Sequence, residues 1–181
     1  GLALGCDAIA HQATLDNRGH AVAVMAHGLH TVAPKSNKRL AENILSEGGA
    51  LVSEYGFGVD PRPEFFVKRD RIQAGLAQGV VMIQSDKKGG SLHASRAALD
   101  YGRWLAVPFP TEQDRQNHEP KIQANLTLAE GTEQERTELL RCQPSALKRL
   151  VILRSRDDYQ KMVAVASVPD ASLPPVQGGL I

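Results

Sequence analysis

One stretch constrains this chain more than any other. The apolar run Gly79-Val80-Val81-Met82-Ile83 stops at Gln84-Ser85-Asp86-Lys87-Lys88, passes through Gly89-Gly90-Ser91, and enters a helix-type pattern beginning at Leu92. A buried strand followed by a flexible turn and a helix N-terminus places unpaired backbone N–H groups, and the positive end of a helix dipole, at the carboxyl end of a strand. Lys87 and Lys88 add mobile positive charge beside it. The spacing predicts an anion-binding corner at Gly89, Gly90 and Ser91, with phosphate the commonest biological anion for it.

The neighbouring sequence repeats the theme of apolar run and helix. Residues 5–17 read as a helix with Asp7 in its first turn and Gly19 as its left-handed cap. Ala21 to Ala26 is a continuous apolar strand, and a helix follows from about Lys38 to Glu47, capped by Ser36 or Asn37, with Leu40, Ile44 and Leu45 inward. Ala50 to Ser53 and Trp104 to Pro108 read as further buried strands. Between them lie a long Gly- and Pro-containing loop, residues 54–63, a basic turn at Lys68-Arg69-Asp70-Arg71, and a helix from Ile72 to Ala77. Strand–helix alternation of this kind predicts an α/β fold, a mainly parallel sheet flanked by helices, with ligands beyond the carboxyl ends of the strands. Both basic corners lie in segments able to reach that edge.

After Pro110 the pattern changes. Residues 111–167 read as a helical extension, with helices at 133–141 and 144–153, the second basic and amphipathic, and a short element at 157–166. Residues 168–181 read as a disordered tail.

Composition bounds the function. The chain has 181 residues, is 42% apolar and 23% charged, and carries a formal charge of +1, so any polyanion site is a local patch on a balanced protein. Cys6 and Cys142 are far apart and read as two free thiols of a reducing cytosol. No apolar run approaches the roughly 18 residues of a membrane span, and the sequence opens without a signal peptide, which predicts a cytoplasmic location and no membrane partner. The sequence contains no P-loop, no G-x-G-x-x-G after a strand, no G-x-S-x-G and no spaced Cys/His zinc set. No catalytic residue, cofactor or metal site is therefore expected. Asp7 and His11 share a helix face, for which the ordinary reading is a local hydrogen bond, and His27 and His30 read as polar loop residues.

The order of motifs resembles the DNA-processing protein A (DprA/Smf) family. Gly1-Leu2-Ala3-Leu4-Gly5-Cys6-Asp7 through Ala10-His11 is similar to its G-L-A-x-G-I-D-x-x-A-H signature, and Ala21 to Val24 with Gly28-Leu29 to its T-I-A-V-x-x-x-G-L-D. Pro34 to Asn37 resembles P-x-x-N, Ser53-Glu54-Tyr55 matches S-E-Y, and Phe66 to Ile72 resembles F-P-x-R-N-R-I. Gly90-Ser91-Leu92 and Tyr101-Gly102-Arg103 through Pro108 are similar to the family's S-G-S-L loop and G-R-x-x-x-x-V-P-G. The resemblance covers residues 1 to about 110. It implies a Rossmann-like domain that binds single-stranded DNA, forms a homodimer and helps load a RecA-type recombinase during DNA uptake. It also implies phosphate contacts at Lys68, Arg69 and Arg71 and at Gly89, Gly90 and Ser91, and with Lys87, Lys88 and Gly5 these make the expected DNA-binding set.

Some positions depart from the pattern. Asp70 stands where the family has Asn, placing a negative charge beside Arg69 and Arg71, and Phe109 stands where V-P-G has its glycine. Gly1 to Gly5 looks like the turn after a strand, so the family's first strand and its G-S-R loop are expected ahead of Gly1. Besides a degenerate, protein-binding remnant, two alternatives remain open at this level. One is a nucleotide-binding or nucleotide-cleaving enzyme of the lysine-decarboxylase-like (LOG) group, whose P-G-G-x-G-T-x-x-E glutamate has no counterpart in Lys88 to Ser95. The other is a DprA-like protein of phage defence.

Overall fold

The computed structural model describes residues 1–166, and the expected tail at 168–181 lies outside them. The chain separates into two compact units, Gly1–Ala77 and one beginning at Gln78. That division falls inside the stretch 1–110 read as a single domain.

The first unit runs α1 (Cys6–Asp16), β1 (Val22–Val24), α2 (Lys38–Ser46), β2 (Ala50–Val52) and α3 (Pro63–Leu76). β1 and β2 pair in parallel, with Val22 opposite Ala50 and Val24 opposite Val52. Parallel neighbours need a crossover, and α2 supplies it. Ala21, Ala23 and Met25 alternate onto one face of β1 and bury themselves against Leu2, Ala41 and Ile44. Leu45, expected inward, is half exposed at 52%, because the buried stripe of α2 follows Ala41 and Ile44. The left-handed residue after α1 is Arg18 (φ 56°) rather than Gly19, whose N–H closes the turn on the Thr14 carbonyl at 2.8 Å. Asn37 does not cap α2 with its side chain. Its amide donates to the Leu2 and Ala3 carbonyls at 2.7 and 3.3 Å and so holds the segment that enters α1.

α3 differs most from expectation. Arg62 is extended, Pro63 takes the first helical position, and the helix runs unbroken through the residues read as a basic turn. Proline's fixed φ suits that first position, and its missing N–H costs nothing there. Lys68 to Arg71 are therefore mid-helix rather than in a turn ahead of it.

The second unit holds β3 (Gly79–Val81), α4 (Ser91–Asp100), β4 (Trp104–Pro108), α5 (Glu112–Gln116), α6 (Gln123–Glu130), α7 (Glu133–Leu140), β5 (Leu150–Leu153) and α8 (Tyr159–Ala166). Its sheet has the order β3-β4-β5, parallel throughout. β4 is central and covered on both faces. Leu105 and Val107 pack with Met82, Leu92, Leu99, Leu128 and Leu140, while Ala106 packs the other way with Val151 and Leu153. Burial on two sides is why that strand reads as an uninterrupted apolar run. The basic amphipathic helix expected at 144–153 is replaced by a 3-10 helix, Pro144–Arg149, and by β5. The run Leu150-Val151-Ile152-Leu153 pairs with Leu105 to Pro108, so part of the stretch read as a helical extension belongs to the sheet.

Candidate nucleic-acid interface

In the second unit the Gly89–Ser91 loop stands where β3 gives way to α4. The Ser85 hydroxyl donates to the Asp86 carbonyl at 2.8 Å, and the Asp86 carboxylate accepts from the Lys88 N–H at 2.7 Å. The Gly89 N–H donates to the Asp86 carbonyl at 3.2 Å, closing the turn. A Cβ on Gly89 would lie 2.2 Å from the Ser85 hydroxyl, so a larger residue here would have to displace that hydroxyl from its bond to the Asp86 carbonyl. The Gly90 carbonyl accepts the His93 N–H at 2.9 Å, while the N–H groups of Gly90 and Ser91 meet no acceptor among the described residues. Lys87 and Lys88 are exposed beside them. The result is a helix N-terminus with open donors and two exposed cations, the arrangement that favours an anion.

A residue not singled out in the sequence holds this corner in place. Asn125, on α6, is 1% exposed. Its side-chain oxygen accepts from the Ser85 N–H at 3.1 Å, and its amide donates to the carbonyls of Ile83 and Pro108 at 2.9 and 3.0 Å. One side chain thus fastens the segments leaving β3 and β4. A polar residue among Ile122, Ala124 and Leu128 on a buried helix face was the available signal.

In the first unit α3 distributes its cations. Successive residues turn by about 100°, so Lys68 and Arg71 share a face while Arg69 points nearly opposite to Arg71. Lys68 is exposed, and Arg71 forms an ion pair with Glu54 of the S-E-Y segment. Arg69 is buried. Its guanidinium donates to the Val24 carbonyl at 2.5 Å and to Asp70 at 3.3 Å, and lies 6.0 Å from the Phe66 ring centre. Asp70 thus draws on Arg69. Arg69 lines a cavity of about 370 Å³ with Leu2 to Leu4, Met25 to His27, Ala33, Pro34 and Phe66. His27 there is 1% exposed; one ring nitrogen bonds the Gly28 carbonyl at 2.8 Å, and the other, Nε2, has no partner among the described residues.

Gly5 precedes α1 at φ 85° and ψ −126°, a conformation natural only to glycine, with open space where a Cβ would be. Asp7 and His11 do not meet each other. Asp7 accepts the Ala3 N–H at 3.2 Å, and His11 lies 2.8 Å from the Gly1 carbonyl. Ser53 explains the S-E-Y segment physically: its hydroxyl donates to the His27 carbonyl at 2.7 Å and accepts the Tyr55 N–H at 3.0 Å. Tyr55 stacks on Phe65 at 4.3 Å, with Arg62 5.7 Å from the Phe65 ring on its own account. Burial, reinforced by the nearby Glu54 carboxylate, raises the Tyr55 hydroxyl above its ordinary pKa. Among the described residues no group of three or more His, Cys, Asp or Glu side chains could hold a metal, and no helix is long and apolar enough to cross a membrane.

Several known proteins are similar to this chain. A family model described as DNA recombination-mediator protein A matches residues 1–136. Protein Smf of Escherichia coli is 43% identical over 111 residues, which is 61% of this chain and 30% of that protein. DNA processing protein DprA of Streptococcus pneumoniae is 41% identical over 109 residues, 60% of this chain and 38% of its own. The chain thus spans between 30% and 38% of the length of these two relatives. Among solved structures, DNA processing protein A from Streptococcus pneumoniae superimposes with a TM-score of 0.62 at 28% identity, covering 89% of this chain and 49% of that one. DNA processing protein A from Helicobacter pylori, described for its single-stranded DNA binding mode, gives 0.60 at 27% identity, covering 72% and 56%. The parallel α/β architecture agrees with these structures, and the Rossmann-like expectation holds.

Proposed function

The chain belongs to the DNA recombination-mediator protein A family, and from that premise we propose that it binds single-stranded DNA through the phosphate backbone and acts in DNA processing without catalysing a reaction. The observation that carries this reading is the Gly89–Ser91 loop, with open N–H groups on Gly90 and Ser91 and exposed Lys87 and Lys88 at the head of α4. Lys68 and Arg71 on the outer face of α3 supply a second set of cations, with Gly5 and the cavity-lining Arg69 in the same unit. Donors of this kind position a strand without reading its sequence. Phosphate contacts alone require no cofactor. In this reading the protein works in the cytoplasm as a homodimer and hands single-stranded DNA to a RecA-type recombinase.

Titration of a fluorescent oligonucleotide at low salt tests the reading. Lys87→Ala/Lys88→Ala and Lys68→Ala/Arg71→Ala are each expected to weaken binding by roughly tenfold, the scale of losing one or two phosphate contacts. Undiminished affinity in both double variants, or no binding by the unaltered chain, would sink it.

A further inference from the structure

Phe109 occupies the step out of β4, and its N–H donates to the Leu153 carbonyl at the end of β5, at 2.8 Å. Two arginines converge on its ring. The guanidinium carbon of Arg154, the residue directly after β5, lies 4.1 Å from the ring centre, and that of Arg115, on α5, lies 5.5 Å away. Both arginines are exposed, and neither guanidinium donates a hydrogen bond or forms an ion pair among the described residues. Two carboxylates close in sequence, Asp114 and Asp158, are engaged by other groups. Asp114 accepts from the N–H and hydroxyl of Thr111, at 3.2 and 2.5 Å. Asp158 accepts from the N–H groups of Arg154 and Ser155 and from Lys161.

Two like charges are thus held within about one Debye length of each other by a single aromatic ring. Each attraction to the ring is modest at an exposed position, and the charges repel. Stacking uses the flat faces of a guanidinium and leaves its N–H edges free, the geometry that accepts a phosphate through paired hydrogen bonds. The location fits as well. β3, β4 and β5 run parallel, so the Arg115–Phe109–Arg154 cluster and the Gly89–Ser91 loop lie on the same carboxyl edge of one sheet, where ligands of such sheets bind.

We propose that Arg115 and Arg154, held by Phe109, form a phosphate clamp that continues the single-stranded DNA path from the Gly89–Ser91 loop across the edge of this sheet. The clamp rests on the single-stranded DNA reading above. Phe109 stands where the resembling motif has glycine, so the clamp is built from this chain's own departure from that pattern.

The test measures oligonucleotide binding by the full chain across a salt series, with the melting temperature of each variant recorded. Arg115→Ala/Arg154→Ala is expected to weaken binding at low salt by at least roughly tenfold, and to flatten the plot of log affinity against log salt by about 1.4, the value for two lost single-strand contacts. Arg115→Lys/Arg154→Lys keeps the charges and should restore most of that slope while recovering only part of the affinity. Phe109→Leu, with both arginines intact, should weaken binding without altering the protein's net charge. An unchanged slope in the double alanine variant, while Lys87→Ala/Lys88→Ala still weakens binding, would overturn the clamp and leave the single-stranded DNA reading standing. Absence of binding by the unaltered chain would overturn both.

Discussion

Asn125 shows how much one side chain can decide. Its three hydrogen bonds link α6 to backbone groups just after β3 and at the end of β4, and the same contact orders Ser85, against which the Gly89 turn closes. Asn125→Ala leaves one donor and two acceptors without partners in a buried setting. We expect a loss of about 2–4 kcal/mol in urea unfolding, with weakened oligonucleotide binding because the loop loses its anchor. A loss below about 0.5 kcal/mol, the level of an ordinary surface change, would show that the anchor is dispensable. Arg69 gives the complementary lesson. In the sequence it is one of three equal cations, yet its guanidinium is committed to the Val24 carbonyl. No local pattern carries that information, since Val24 is reached only through the tertiary fold.

Elements whose burial follows a local rhythm were legible. α1, α2, β1, β2 and β4 fall within a few residues of the stretches read from the sequence, and α2, β1 and β4 bury apolar residues that their own sequence provides. α3 was read too short, since Phe65-Phe66 followed by cations looks like the end of one element and the turn into another. Pro63 held the better signal. β5 was missed because Pro144 to Arg149 and Leu150 to Leu153 merge into one amphipathic pattern, whereas the pairing that defines the strand is with β4, some forty residues earlier. The turn leading from β5 into α8 has a measurable pH signature. Donation from the Lys161 ammonium, then from the Arg154 and Ser155 N–H groups, lowers the Asp158 carboxyl from 3.8 to about 2. The folded state therefore binds this proton less readily than the unfolded chain does. Its stabilisation is present above pH 3.8 and is lost as pH falls through about 2. Asp158→Asn should be less stable than the unaltered chain at pH 7 and indistinguishable from it near pH 2. A stability gap that persists at the acid end would rule out this carboxylate as the cause.

The molecule as a whole carries a formal charge of only +1, so no long-range field draws nucleic acid to it. In the proposed reading, binding comes from local groups: the Lys87–Ser91 corner, the outer face of α3, and the Arg115–Phe109–Arg154 cluster. The first of these was legible as a Gly-rich turn between strand and helix. The third was not, since Phe109, Arg115 and Arg154 meet only when β4 and β5 lie side by side. Contacts from these donors to the phosphate backbone make affinity sensitive to salt and indifferent to sequence. The decisive measurement is the affinity of the unaltered chain for oligo-dT and for a mixed-sequence strand of equal length, across a salt series. We expect log affinity to fall linearly with log salt, with a slope of about −3 to −4 for four to six phosphate contacts, the same for both strands. A salt-independent affinity, or one that follows the bases, would refute phosphate-backbone binding by this chain.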